Sequence, residues 1–258
     1  KDAMALRQRT GLGIMDCKDA LAQNGGDMNK AEAWLREKLK GKMDTRTDRP
    51  AGQGCVAVCV QPGRASIVEV RSETDFTAKN DEFRTMANDV AKAACDQSGD
   101  VKVSAAMTAR IDELRIKTNE NISFGRGVCL HGGNFAQYVH HDARLGVLLQ
   151  FEGNLPEELA VGICQHVAAV VPTPLAVDDS GVSADTLAQK KAEAEAEAKA
   201  SGKPDQIAAK MAEGKLRKFL EEVTLLGQPY VKDDKKSVKQ MLPAGVRILK
   251  FVRMTVGG

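Results

Sequence analysis

The sequence predicts an α+β protein built from several units, and three observations carry that prediction. Residues 1–40 show helical apolar spacing with no strand pattern. From Cys55 onward, alternating strand patterns give way to helical ones, and this order repeats once. Residues 189–200 are almost entirely Ala, Glu and Lys, a strong helix former with little to bury. The expected architecture is an N-terminal three-helix domain, a two-part core of antiparallel sheet plus helix, and a projecting helical hairpin. A length of 258 residues is too long for one small core.

Residues 1–42 form the first unit. A helix over 1–9 ends at Thr10-Gly11. Ile14, Cys17 and Leu21 define the second helix, stopped by Asn24-Gly25-Gly26. Asp27 caps the third, whose apolar side uses Met28, Ala31, Leu35 and Leu39. So small a helical unit resembles a ubiquitin-associated-type domain and suits docking. Residues 43–53 lack an apolar period and predict a linker.

Residues 54–131 are expected to be the first half of the core. Val56, Val58 and Val60 share one strand face, and Gln61-Pro62-Gly63-Arg64 turns the chain into a strand carrying Val68 and Val70. After the polar Glu73-Thr74-Asp75 comes Phe76, ahead of a helix marked by Phe83, Met86, Val90 and Ala94. That helix has a full apolar stripe without Phe76, which favours a projecting side chain over a core plug. A helix with Met107, Ile111 and Leu114 follows. Next comes a strand expected to place Ile122, Phe124, Val128 and Leu130 on one side.

Residues 132–181 restart the pattern as strand, turn, strand and helix, the helix buried through Leu159, Ile163, Val167 and Val170. Residues 182–223 make the hairpin, roughly 25–30 Å long at about 1.5 Å per residue. Ser201-Gly202 breaks it, and Ile207, Met211, Leu216, Phe219, Leu220 and Val223 are expected inward. Residues 224–258 return to the second half of the core through a short helix and a last strand.

Composition narrows the function. Net charge is +2 with 28% charged residues, so nothing pulls the chain toward nucleic acid or a lipid surface. No apolar run approaches the ~18 residues of a membrane span, and no signal-peptide pattern is visible. The chain opens on Lys1 rather than Met, which leaves a longer natural N-terminus open. Six scattered cysteines without a CxxC pair fit buried thiols in a cytoplasmic protein better than disulfides or a zinc site. Gly11-Leu12-Gly13 lacks the third glycine and preceding strand of a dinucleotide loop. Ser201-Gly202-Lys203 lacks the first glycine of a phosphate loop and continues into Pro204. His140-His141 has no nucleophile in a recognisable elbow. No cofactor or metal is implied, and an interaction protein is favoured over an enzyme.

Six segments then carry a resemblance in consistent order. They are Arg9-Thr10-Gly11-Leu12-Gly13-Ile14-Met15-Asp16-Cys17-Lys18-Asp19-Ala20-Leu21, Glu73-Thr74-Asp75-Phe76-Thr77-Ala78-Lys79-Asn80, and Tyr138-Val139-His140-His141-Asp142-Ala143-Arg144-Leu145-Gly146-Val147-Leu148. The others are Ser201-Gly202-Lys203-Pro204, Met211-Ala212-Glu213-Gly214-Lys215, and Leu226-Gly227-Gln228-Pro229-Tyr230-Val231. Together they resemble the bacterial elongation factor Ts family. The resemblance implies a guanine nucleotide exchange factor for elongation factor Tu. It implies Asp75 and Phe76, beside Thr74, as exchange residues, with Phe76 a wedge near the partner's magnesium and phosphate site. It implies partner contacts from Arg7, Met15 and Lys18, from His141, and from the segment holding Gly227, Gln228, Pro229 and Val231. Thr77 stands where the family usually has an apolar residue, and Thr118-Asn119 replace an Ile-Gly pair that touches the partner in some members. A homodimer through core or hairpin stays open. Two other readings stand beside this one: a docking or scaffold protein without exchange activity, and a small-molecule enzyme using His141 or a cysteine.

Overall fold

The computed structural model describes residues 1–200, 202 and 204–258. Three helices come first: α1 (Asp2–Thr10), α2 (Ile14–Gln23) and α3 (Met28–Asp44). Gly11 ends α1 in the left-handed conformation at φ 73°, where its N–H reaches the Arg7 carbonyl. Asp27 caps α3 by accepting from the Asn29 and Lys30 amides, each at 3.0 Å, and these bonds hold its carboxyl below its ordinary pKa, the Lys30 bond most. The helices close on Leu6, Leu12, Cys17, Ala20, Ala31 and Leu35. Helix α3 runs on to Asp44, past position 42, because Met43 is buried.

Strands β1 (Gln53–Gln61) and β2 (Arg64–Ser72) form the first hairpin. Helices α4 (Asp75–Lys79) and α5 (Asp81–Ala94) follow, then β3 (Gly99–Asp100), α6 (Ala105–Thr118) and β4 (Ser123–His131). The second half holds β5 (Asn134–Val139), β6 (Leu145–Glu152) and α7 (Glu157–Ala169). After the hairpin helices α8 (Ala184–Ala200) and α9 (Asp205–Val223) come β7 (Pro229–Tyr230), β8 (Asp233–Ser237), α10 (Val238–Met241) and β9 (Arg247–Thr255). One sheet has the order β1-β2-β4-β3 and a second β5-β6-β9.

The layers are helix, sheet, sheet, helix. One face of the first sheet presents Cys55, Ala57, Val68 and Val70 to α5 and α6. Its other face, with Val56, Ala65 and Ile67, packs on Leu148 and Met254 of the second sheet. The far face of that second sheet, with Val147, Leu149 and Phe151, is covered by Ile163 and Val167 of α7. Strand β2 is therefore buried on both faces, which explains its unbroken burial from Ala65 to Val70.

Two expectations need correction. Ile122 and Phe124 pack with α5 and α6, whereas Val128 and Leu130 face the second sheet, so they do not share a side. The register slips at Gly125: Val70 pairs with Phe124, but Glu69 pairs with Arg126. One extra residue exchanges the two faces of everything beyond it. In the hairpin, Ile207 is exposed and the seam is made of Ala194, Ala198, Ala208 and Ala212, with Met211 beside it. Only at the base do Phe219, Leu220 and Val223 join Ala176 and Val182. Alanine lets two helices approach closely without needing a wide apolar stripe. Ser201 and Lys203, part of the expected turn, lie outside the described residues.

Candidate functional site

The corner after β2 is built from polar groups. Thr74 caps α4, its Oγ1 accepting from the Thr77 amide at 3.3 Å. A helix of five residues cannot hold itself together in water. Its support comes from Glu120, just beyond α6. The Glu120 carboxylate accepts from the Thr74 hydroxyl (2.7 Å), the Thr74 amide (3.2 Å) and the Thr77 hydroxyl (2.8 Å). The reverse stitch is Glu73, whose Oε1 accepts from the Asn121 amide at 2.7 Å. The hydroxyl at position 77, unusual for the resembled family, thus has a half-buried acceptor waiting for it.

Phe76 stands on this corner and is 83% exposed, while Phe83, one helix later, is fully buried. Among the described residues no other Phe, Trp or Tyr side chain is exposed. Beside it, Asp75 pairs with Lys79 at 2.7 Å. The hydrogen bond from Lys79 lowers the Asp75 pKa, so this carboxylate stays ionised at neutral pH.

Met15 is 63% exposed on the first turn of α2, and Arg7 and Lys18 are also exposed. Their unit is seated on the core by α6. Ile116 joins the three-helix cluster, and Arg115 Nη2 donates to the Met43 carbonyl at 3.1 Å. Arg115 also pairs with Asp112 at 2.8 Å, and Lys40 reaches Asp112 at 3.0 Å. Lys117 lies against Gly11 and pairs with Glu82 at the start of α5, which brings the α1–α2 loop beside the Phe76 corner. Asn119 takes the left-handed conformation at φ 58°, where glycine is the easiest residue and asparagine the next. Its Oδ1 accepts from Arg46 at 2.6 Å.

His141 is exposed at the β5–β6 turn, its ring 4.3 Å from that of His140. The turn is docked on the first sheet: the Ala143 carbonyl accepts from the Val56 amide at 2.7 Å. Ala143 and Ala78, two residues from His141 and Phe76 respectively, belong to one buried cluster.

The 227–231 segment is different in kind. Gln228 is only 2% exposed, and its side chain is fully engaged. Its Nε2 donates to the Pro172 and Glu222 carbonyls at 2.8 and 2.7 Å, and its Oε1 accepts from His166 Nε2 at 3.0 Å. His166 Nδ1 in turn accepts from the Val231 amide at 3.1 Å. That pattern fixes a neutral ring with its proton on Nε2, and burial lowers its pKa. Gly227 is required by close approach, since a Cβ there would lie 2.8 Å from the Glu221 Cα. Pro229 and Val231 are exposed, Val231 by 50%, whereas Gln228 can influence a partner only by holding its neighbours.

Burial pushes the thiols of Cys55 and Cys164 up to about 12 and that of Cys129 up to about 11, which leaves them poor nucleophiles. Among the described residues no cluster of His, Cys, Asp and Glu could hold a metal, and no helix is long and apolar enough to cross a membrane.

The family model described as Elongation factor TS matches residues 73–258. The chain belongs to the elongation factor Ts family. An elongation factor Ts from Psychrobacter cryohalolentis is 41% identical, over 98% of this chain and 88% of that relative. One from Methylococcus capsulatus is 40% identical over 98% and 89%, and one from Burkholderia mallei 39% over 98% and 88%. Family membership makes the chain a translation elongation factor and agrees with the α+β architecture described above. Within that family frame, sequence reasoning missed Glu120 and His166. Both work through contacts 43 or more residues away in the chain, and neither sits in a local pattern that reveals it.

Proposed function

We propose that this elongation factor Ts family member is a guanine nucleotide exchange factor that speeds GDP release from elongation factor Tu. The observation that carries the reading is Phe76, an aromatic ring held in solvent on a corner stitched from below. Leaving such a ring exposed costs the free protein apolar burial. The reading accounts for that cost through a partner: the ring enters the GTPase near its magnesium and phosphate groups. Asp75, ionised by Lys79, brings negative charge to the same place, where it disfavours a neighbouring phosphate.

Residues 1–42, with Arg7, Met15 and Lys18 outward, dock on the GTPase domain. His141 and the exposed Pro229 and Val231 extend the contact, with Gly227 and Gln228 shaping the last segment. The units 54–131 and 132–181, the hairpin 182–223 and the return 224–258 are the scaffold in this division. No bond is made or broken, so the chain acts without enzyme chemistry, as a cytoplasmic protein. It binds the nucleotide-free partner better than the GDP-bound one and shifts the population toward release. GDP must weaken its binding by the same factor.

The test is release of labelled GDP from elongation factor Tu, with and without the full chain. Acceleration that saturates with added chain supports exchange. Tight binding with an unchanged release rate leaves a docking protein and removes this proposal.

A further inference from the structure

We infer that Glu120 is a positioning residue for exchange: it fixes the Phe76 helix against α6, and so sets wedge and docking unit in one register. This rests on the exchange reading above. Phe76 gains its position from its backbone alone, because its ring is in solvent. That backbone belongs to a five-residue helix whose cap, Thr74, and inner hydroxyl, Thr77, both end on Glu120. Thr74 N–H is one of the unpaired amides of a helix start, and it too ends on this carboxylate. Bonds to a charged acceptor are the stronger class, and three converge here.

The same few residues hold the docking unit. Asn121, next to Glu120, donates its side-chain amide to the Thr47 and Arg49 carbonyls at 3.0 and 2.7 Å, on the stretch leaving α3. Asn119, on the other side, binds Arg46. Arg115, one turn earlier, holds the end of α3. Residues 115–121 therefore grip the docking unit and the Phe76 helix together. A partner engaged by α1 and α2 meets Phe76 at a preset place, and the ordering entropy of that encounter is lowered in advance.

The experiment measures labelled-GDP release from elongation factor Tu against concentration of the full chain, for wild type, Glu120→Ala, Phe76→Ala and the double variant. Glu120→Ala is expected to lower the maximal rate about tenfold, the scale of losing hydrogen bonds to a charged group. The concentration for half effect should change little, because the docking contacts remain. In the Phe76→Ala background Glu120→Ala should add nothing, since it acts through that ring. Glu120→Gln, which keeps one acceptor oxygen, should recover part of the rate. Amide hydrogen exchange on the chain alone gives a second readout: residues 74–79 should exchange at least about tenfold faster in Glu120→Ala, with α5 unchanged. A wild-type maximal rate, or an equal further loss without Phe76, overturns the inference. If wild type itself gives no acceleration, the exchange reading fails. In that case unchanged amide exchange at 74–79 overturns the positioning role separately.

Discussion

Phe76 stands in solvent on a helix too short to persist alone, while Gln228, three residues before the exposed Val231, is sealed in the core with every polar atom of its side chain bonded. Both segments belong to the proposed partner surface, yet they are made in opposite ways. At the Phe76 corner the contacting side chain is outside and the carboxylate supporting it comes from another element. At 227–231 the motif residue itself is the support, and backbone and neighbours are what it presents. A motif residue is therefore no guide to a contact until its burial is known. In each segment one buried or half-buried polar group, Glu120 or His166, converts distant chain into a fixed surface.

Four measurements break or sharpen this contrast. Phe76→Ala should have the largest effect: exchange falling about a hundredfold, the scale of a central aromatic anchor. The denaturant midpoint should stay within about 0.5 kcal/mol of wild type, because the ring is exposed. A loss of stability matching the loss of exchange would erase the contrast. Gln228→Ala should behave the other way. It strands the His166 N–H and two carbonyls, so unfolding stability should drop by about 2–3 kcal/mol in a denaturant titration. Exchange by the protein that remains folded should fall less than for Phe76→Ala.

The third measurement uses pH. His166 has its pKa lowered by burial, and both ring nitrogens are committed, one as acceptor from Val231. The unfolded chain takes up the proton near the ordinary value of 6.5, before the folded one does. Stability from this group is therefore complete above that value and declines as pH falls from it toward the lower folded value. Denaturant midpoints between pH 7.5 and 5.5 should show the decline, and His166→Gln should remove it. Thr77→Val is expected to be the mildest change. It deletes one of three bonds to Glu120 and keeps the shape, for about 1 kcal/mol or less by thermal unfolding. A larger loss would mean that the corner depends on Thr77 more than on its cap.

Local patterns settled a good deal. The stops at Gly11 and Asn24, the Asp27 cap, the stripe of α5 and the alternation of β6 depend on neighbours within a few residues, so they can be read along the chain. So could the exposure of Phe76, since α5 completes its stripe without it. The single-face reading of β4 failed because a bulge at Gly125 is set by the partner strand. The inward reading of Ile207 failed because the hairpin packs through alanines, whose small size matters only once a second helix lies against them.

What the sequence determined by itself was the kind and order of the elements, and the family, because caps, periods and motifs are local or cumulative. What tertiary structure alone decided was which polar residues became buried or half-buried supports. Glu120, Asn121, Gln228 and His166 look like ordinary surface side chains in a string of letters. Their roles follow from donors brought within about 3 Å by the fold, and from the high cost of leaving a buried polar atom unpaired.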